Sequence, residues 1–185
     1  IPATVGLVLV AEPTMRHVFG QEYLGATSVV QVFSLFILAN AFNKITTDSL
    51  DYLGRARIRA LFKGGMAVGN VSLNLLLIPI YGATGAAAAS VITFGSYTLL
   101  NVYIITTELP IQFGRVTGSI GRIVLITGIM GVGVRLLLPY VTGIGTLVAI
   151  IAVGGGIWLA LSAVWGVIDI EQLWSYVMPS SSSAE

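Results

Sequence analysis

Over 185 residues the chain is 56% hydrophobic and only 9% charged, too little charge to cover the surface of a soluble domain of this length. Its formal net charge of +1 excludes bulk attraction to nucleic acid or to an acidic substrate. The absence of cysteine excludes disulfides and thiolate metal sites.

The chain opens Ile1-Pro2 inside an apolar run with no basic segment before it, which does not fit a signal peptide. We therefore expect the C-terminal portion of a longer protein, with a truncated first span at 1–11. Complete spans are expected at about 24–47, 60–80, 84–106, 122–141 and 145–168, lengths that suit a hydrocarbon core of about 30 Å. Gly64 to Thr107 holds no Asp, Glu, Lys, Arg or His. As one straight helix that stretch would be about 66 Å long, roughly twice the core. Pro79-Ile80-Tyr81-Gly82-Ala83 supplies the expected tight turn between two spans. Backbone groups in hydrocarbon must be satisfied within the segment, and the alternation of a barrel strand is absent, so the fold class is all-α: a polytopic transmembrane helix bundle of five full spans plus one truncated. Beyond the last span, Ile170, Leu173, Trp174, Val177 and Met178 recur at helical spacing. They predict an interfacial helix with Trp174 and Tyr176 at headgroup level, followed by a flexible tail.

Charge sets the expected orientation. Lys44, Arg55, Arg57, Arg59 and Lys63 gather at one connection, Arg115 and Arg122 at a second on the same side, and only Arg16 and Arg135 fall opposite. Basic residues favour the cytoplasmic side, so the 48–59 and 107–121 connections and the C-terminus are expected in the cytoplasm. The 12–23, 79–83 and 140–144 connections are expected outside.

The few polar groups inside the spans are the candidates for function. Arg59, Lys63, Asn70 and Asn74 fall within about 60° of one another on the third span, one stripe running from the cytoplasmic edge toward mid-membrane. Ser90, Tyr97, Asn101 and Glu108 share a face of the fourth span, and Asn40, Asn43, Lys44 and Thr47 group toward the cytoplasmic end of the second, with Gln31 and Ser34 elsewhere on it. Buried amides are costly in lipid, so these stripes either bond helix to helix or line a hydrated pathway. Arg55 and Arg57 are explained by topology and contact with anionic lipid, whereas Arg59 and Lys63 continue the Asn70–Asn74 stripe. Arg135 is explained by snorkelling to the interface, and His17 as a solvated loop residue. Gly65-xxx-Gly69, Gly85-xxx-Ala89 and Gly114-xxx-Gly118 permit close helix contact. No phosphate-binding loop, HExxH or Ser/His/Asp set is present, so neither catalysis nor a cofactor or metal is expected.

Val18-Phe19-Gly20-Gln21-Glu22-Tyr23-Leu24-Gly25-Ala26, Leu53-Gly54-Arg55 and the long run Asn70-Val71-Ser72-Leu73-Asn74 through Pro79-Ile80-Tyr81-Gly82-Ala83-Thr84-Gly85-Ala86-Ala87 resemble the C-terminal half of polysaccharide-biosynthesis flippases of the O-antigen and lipid-linked oligosaccharide type. That family lies in the superfamily of lipid II flippases and multidrug and toxin extrusion transporters. The resemblance covers most of residues 1–110, and the last two spans match only in number and hydrophobicity. It implies the ninth to fourteenth helices of a fourteen-helix transporter in the cell (plasma) membrane of a prokaryote. It also implies two bundles rocking about a central cavity, and a polyprenyl- or dolichyl-phosphate-linked glycan as substrate. Residues 1–110 are then part of the transport bundle, 111–168 two peripheral transmembrane helices and 169–185 the interfacial helix and tail. The implied partners are membrane lipid, the N-terminal half of the same protein and glycan-assembly enzymes. The stripes suggest Arg59 and Lys63 for the carrier phosphate, and Asn40, Asn43, Asn70, Asn74, Tyr97 and Asn101 for sugar hydroxyls. Two other readings stay open. A cation-coupled exporter would want a carboxylate deep in the bundle, which no full span carries. A non-transporting membrane subunit of a glycan-synthesis complex would tolerate apolar replacements in the stripes.

Overall fold

The structure is a computed structural model that describes residues 1–52, 56–108 and 113–167. Every regular element among them is helical: α1 (Pro2–Thr14), a π-helical turn (Met15–Phe19), a 3-10 segment (Gln21–Ala26), α2 (Thr27–Tyr52), α3 (Ala56–Glu108), α4 (Phe113–Leu137), a 3-10 turn (Leu138–Tyr140) and α5 (Ile144–Val164). Four stretches of the described residues are long and apolar enough to cross a membrane: Gln21–Lys44, Ala60–Thr107, Thr117–Tyr140 and Ile144–Val164. Leu61, Leu75, Leu76, Ile80, Leu99 and Val132 stand largely exposed on these helices, an apolar surface that suits lipid and would be untenable in water.

The 48-residue stretch is not straight. At Gly82 the backbone leaves the helical region, with φ 57° and ψ −137°, a conformation that glycine adopts without the clash a Cβ would bring. Asn70 Nδ2 donates to Thr93 Oγ1 at 3.0 Å, although a continuous helix would set these residues roughly 35 Å apart. α3 is therefore a hairpin of two antiparallel arms, residues 56–81 and 83–108, as the Pro79–Ala83 segment predicts. Gly85 makes the closure possible, because a Cβ there would overlap the backbone carbonyl of Leu77. At Gly69 the opposite arm comes near enough that a Cβ would lie 3.8 Å from Thr93 Cγ2.

α2 lies parallel to the second arm, as three contacts at nearly constant offset show. Ser28 and Thr84 share a hydroxyl hydrogen bond of 3.0 Å, Thr98 Oγ1 reaches the Ala39 carbonyl at 3.4 Å, and Asn101 Nδ2 donates to Asn43 Oδ1 at 3.0 Å. Phe36 packs on Phe94 with ring centroids 4.7 Å apart. α1 packs on α2 on one side and on α4 and α5 on the other. Gln31 Nε2 ties α2 to α1 through the Val8 carbonyl at 3.3 Å, which gives the off-stripe polar residue Gln31 a structural partner.

The apolar core lies on the far side of α1. Val10, Met130, Val134, Leu147 and Ile150 are buried together, with Leu9, Ile157 and Trp158 packed around them. Small residues set the spacing: a Cβ at Gly154 would sit 2.7 Å from Val134 Cγ2, and one at Gly131 would sit 3.3 Å from Val5 Cγ1. Thr146 Oγ1 accepts the backbone N–H of Thr142 and of Gly143 and so caps the start of α5, satisfying donors a helix start would otherwise leave orphaned. By contrast, Gly114 and Gly118 meet nothing within 4 Å.

Helix ends differ from the expected span limits. α2 runs on to Tyr52 and α3 starts at Ala56, so the expected 48–59 connection is helical except for 53–55, which lie outside the described residues. The expected outer connection 12–23 is helical as well. Pro13 withholds one backbone donor within α1, the next turn widens to π geometry, and Gly20 ends it at φ 103°. Span limits follow hydrophobicity, whereas a helix continues through the interface wherever its backbone bonds are better made internally. The interfacial helix expected around Trp174 lies outside the described residues, as does Arg55.

Candidate functional site

Hydrogen bonds and the packing of α2 on the second arm draw the polar stripes of α2 and α3 into one seam. Asn70 and Asn74 sit one helical turn apart on the first arm, and Asn74 Nδ2 donates to Asn70 Oδ1 at 2.9 Å. Asn70 then donates across to Thr93, whose own hydroxyl donates to the Ala89 carbonyl at 2.8 Å. The result is a relay of amide, amide, hydroxyl and backbone oxygen between the two arms. A second node lies eight residues further along the second arm, roughly 12 Å away along the axis. There Asn101, fully buried, donates to Asn43 of α2. Tyr97 stands one turn before Asn101, buried with its ring beside Phe94.

Placement varies among the predicted residues. Asn70, Asn74, Asn43 and Asn101 are brought into bonded pairs, and Tyr97 is packed beside them. Asn40 and Lys63 are exposed, and Lys63 forms no ion pair with a described residue. Lys63 and Asn101 are equidistant from Gly82 in sequence, so the hairpin sets them at the same level. Arg59 belongs to the first arm, and its side chain lies outside the described residues.

Two amide oxygens in the seam, Asn74 Oδ1 and Asn101 Oδ1, are buried without a hydrogen-bond partner among the described residues. An unmet acceptor in a low-dielectric site is costly and seeks a donor. Asn74 also borders a shallow cleft of about 290 Å³ with Val71, Leu75, Ile78 and Pro79. The chemistry on offer is that of amide and hydroxyl groups able to exchange hydrogen bonds with other hydroxyls. Among the described residues no cluster of His, Asp or Glu could hold a metal ion.

Sequence reasoning missed Thr93, although its spacing of four residues before Tyr97 and eight before Asn101 places it on the same face. A larger omission lies elsewhere. Val8, Glu12, Arg16, His17, Gln31 and Arg135 are among the residues that line a cavity of about 740 Å³ between the end of α1, the start of α2 and the end of α4. Arg16 Nη2 donates to Glu12 Oε1 at 2.7 Å there. Charge patterning sets Arg16 and Arg135 on the same side of the membrane, but with most of the chain between them nothing in the sequence shows that they line one cavity.

The chain is 28% identical over 113 residues to the probable low-salt glycan biosynthesis flippase Agl15 of Haloferax volcanii, an alignment covering 61% of this chain and 24% of that protein. It is 31% identical over 97 residues to the uncharacterized membrane protein MJ1068 of Methanocaldococcus jannaschii, covering 51% of this chain and 19% of that protein. The matched length is thus about a quarter or less of these curated relatives. No family model matches the chain, and no solved structure matches it. The apolar helices and these relatives together describe a multi-pass helical membrane protein with distant similarity to a probable glycan biosynthesis flippase.

Proposed function

We propose that this chain is part of a flippase that moves a lipid-linked oligosaccharide from the cytoplasmic to the outer leaflet by alternating access, making and breaking no covalent bond. In this reading both arms of the α3 hairpin cross the bilayer, so α2 to α5 supply five complete spans beside α1. These six helices correspond to the ninth to fourteenth of a fourteen-helix transporter, and the end bearing Lys44 and Lys63 faces the cytoplasm.

The observation that carries the proposal is the polar seam that runs between the two arms of α3 and between its second arm and α2. It combines exchangeable amide and hydroxyl bonds with two buried, unmet acceptors on Asn74 and Asn101. Such groups are expensive in a membrane and are kept where they hold helices together or meet a polar cargo. Sugar hydroxyls are donors as well as acceptors, so they suit these oxygens. Arg59 and Lys63 sit on the same arm toward the cytoplasmic end and suit the carrier phosphate. The similarity to a probable glycan biosynthesis flippase supports the cargo class.

The test is leaflet transfer by the full-length protein in liposomes holding a labelled lipid-linked oligosaccharide, read with an enzyme that cannot cross the membrane. Transfer faster than in empty liposomes is expected, and replacing Arg59 and Lys63 together by alanine should slow it in well-folded protein. No transfer with a matched glycan and each ion gradient tried would overturn the proposal.

A further inference from the structure

Of the nine Lys and Arg residues, Arg16 and Arg135 stand apart at the end of the bundle where α1 finishes and α2 begins. Lys44, Lys63 and Arg122 belong to the opposite end. Arg16 and Arg135 come from helices far apart in sequence, yet they line the same cavity of about 740 Å³, together with His17, Gln31 and Glu12. Two arginines and a histidine therefore share the cavity with one carboxylate. Glu12 occupies one nitrogen of Arg16, and Arg135 makes no ion pair with a described residue. Snorkelling accounts for one arginine at a helix end, but not for two from different helices lining one cavity together with a histidine.

We propose that this cavity binds a phosphate-bearing anion, presented by a lipid headgroup. The guanidinium fork matches phosphate oxygens in a bidentate fashion and remains charged at any physiological pH. Val8, Leu136, Leu138 and Pro139 also line it, so the site is amphipathic, offering both charged and apolar side chains. A free ion has no use for the apolar lining, whereas a phosphate joined to a hydrocarbon chain can use both kinds of group. The volume falls within the range of small-molecule sites, roughly 300–1,000 Å³. The π-helical turn Met15–Phe19 carries both Arg16 and His17, and such widened turns recur at functional sites. The anion site rests on the cavity alone; the lipid being a transported carrier would rest on the flippase reading.

The experiment titrates full-length protein in neutral maltoside micelles with inorganic pyrophosphate and, separately, with geranyl diphosphate, followed by calorimetry. Saturable binding of geranyl diphosphate is expected. Arg135→Gln should weaken it about tenfold, the effect of losing one charge-assisted contact, and Arg135→Lys less. Glu12→Gln should strengthen it by freeing Arg16, a gain that a merely structural role would not produce. Arg122→Gln should leave it unchanged. Much weaker binding of pyrophosphate supports the lipid source; equal binding keeps the anion site and assigns it to free phosphate. No saturable binding of either probe, or affinity unmoved by Arg135→Gln and by Arg16→Gln with Arg135→Gln, overturns the proposal. A flippase assay that fails while these titrations succeed would sink the transport reading alone.

Discussion

Inside hydrocarbon an amide has no water to turn to, so Asn70 must find its partners in protein. It has two, Thr93 across the hairpin and Asn74 on its own arm. Interhelical bonds of this kind contribute less than their isolation suggests, because the unfolded chain in a bilayer also finds partners. A double-mutant cycle of Asn70→Ala with Thr93→Val should give a coupling of about 0.6 kcal/mol, with roughly 1.7 as the ceiling, read by reversible unfolding in bilayer-like micelles. A coupling near zero would mean that the hairpin is held by its turn and by packing rather than by this bond. The need for partners is legible from sequence at every one of these amides, since cost follows from residue type and depth. The identity of the partner is not. Thr93 was overlooked because a threonine in a helix ordinarily bonds its own backbone, and it does so here as well. Sequence alone explains Arg135 by snorkelling, because nothing along the chain reports that α1 and α4 end beside one cavity.

At the scale of elements the hairpin of α3 is the most legible feature. An uncharged run twice the thickness of a membrane must turn, and Pro79 with Gly82 marks where. The limits of α1, α2 and the turn after Pro13 are less so, because helices outlast their apolar stretches. The hairpin carries its own test. The chain holds no cysteine, so Gly69→Cys with Thr93→Cys introduces a single pair. Across the hairpin these positions are near enough for a disulfide, whereas a straight helix would separate them by roughly 36 Å. Oxidation should close the bridge in nearly all molecules, visible as faster migration on a non-reducing gel. Gly85→Ala should reduce that yield, because the new methyl meets the Leu77 carbonyl and the arms must part near the turn. Unbridged protein throughout would refute the fold-back.

Across the whole molecule two kinds of adhesion predominate in different places. α2 and the two arms of α3 are joined by polar groups as well as by Phe36 on Phe94, and α1, α4 and α5 chiefly by close-fitting apolar side chains. Lipid chains are as apolar as leucine, so the second group gains little from burial as such and depends on fit. Gly154 is where that fit is tightest. In Gly154→Ala the methyl would lie 2.7 Å from Val134 Cγ2, and Val134 is β-branched and buried, with few rotamers to retreat into. The cost should be about 1–3 kcal/mol, seen as a lower midpoint of thermal unfolding. On the proposed flippase reading, transfer per folded molecule should not change, because the polar seam is untouched. Lys63→Gln should show the reverse pattern: an unchanged midpoint, since the side chain is exposed and forms no ion pair with a described residue, and transfer slowed about tenfold for one lost charge-assisted contact. If Gly154→Ala slows transfer as much as Lys63→Gln does, then α4 and α5 take part in moving the cargo, and the division between a working seam and a supporting core is wrong.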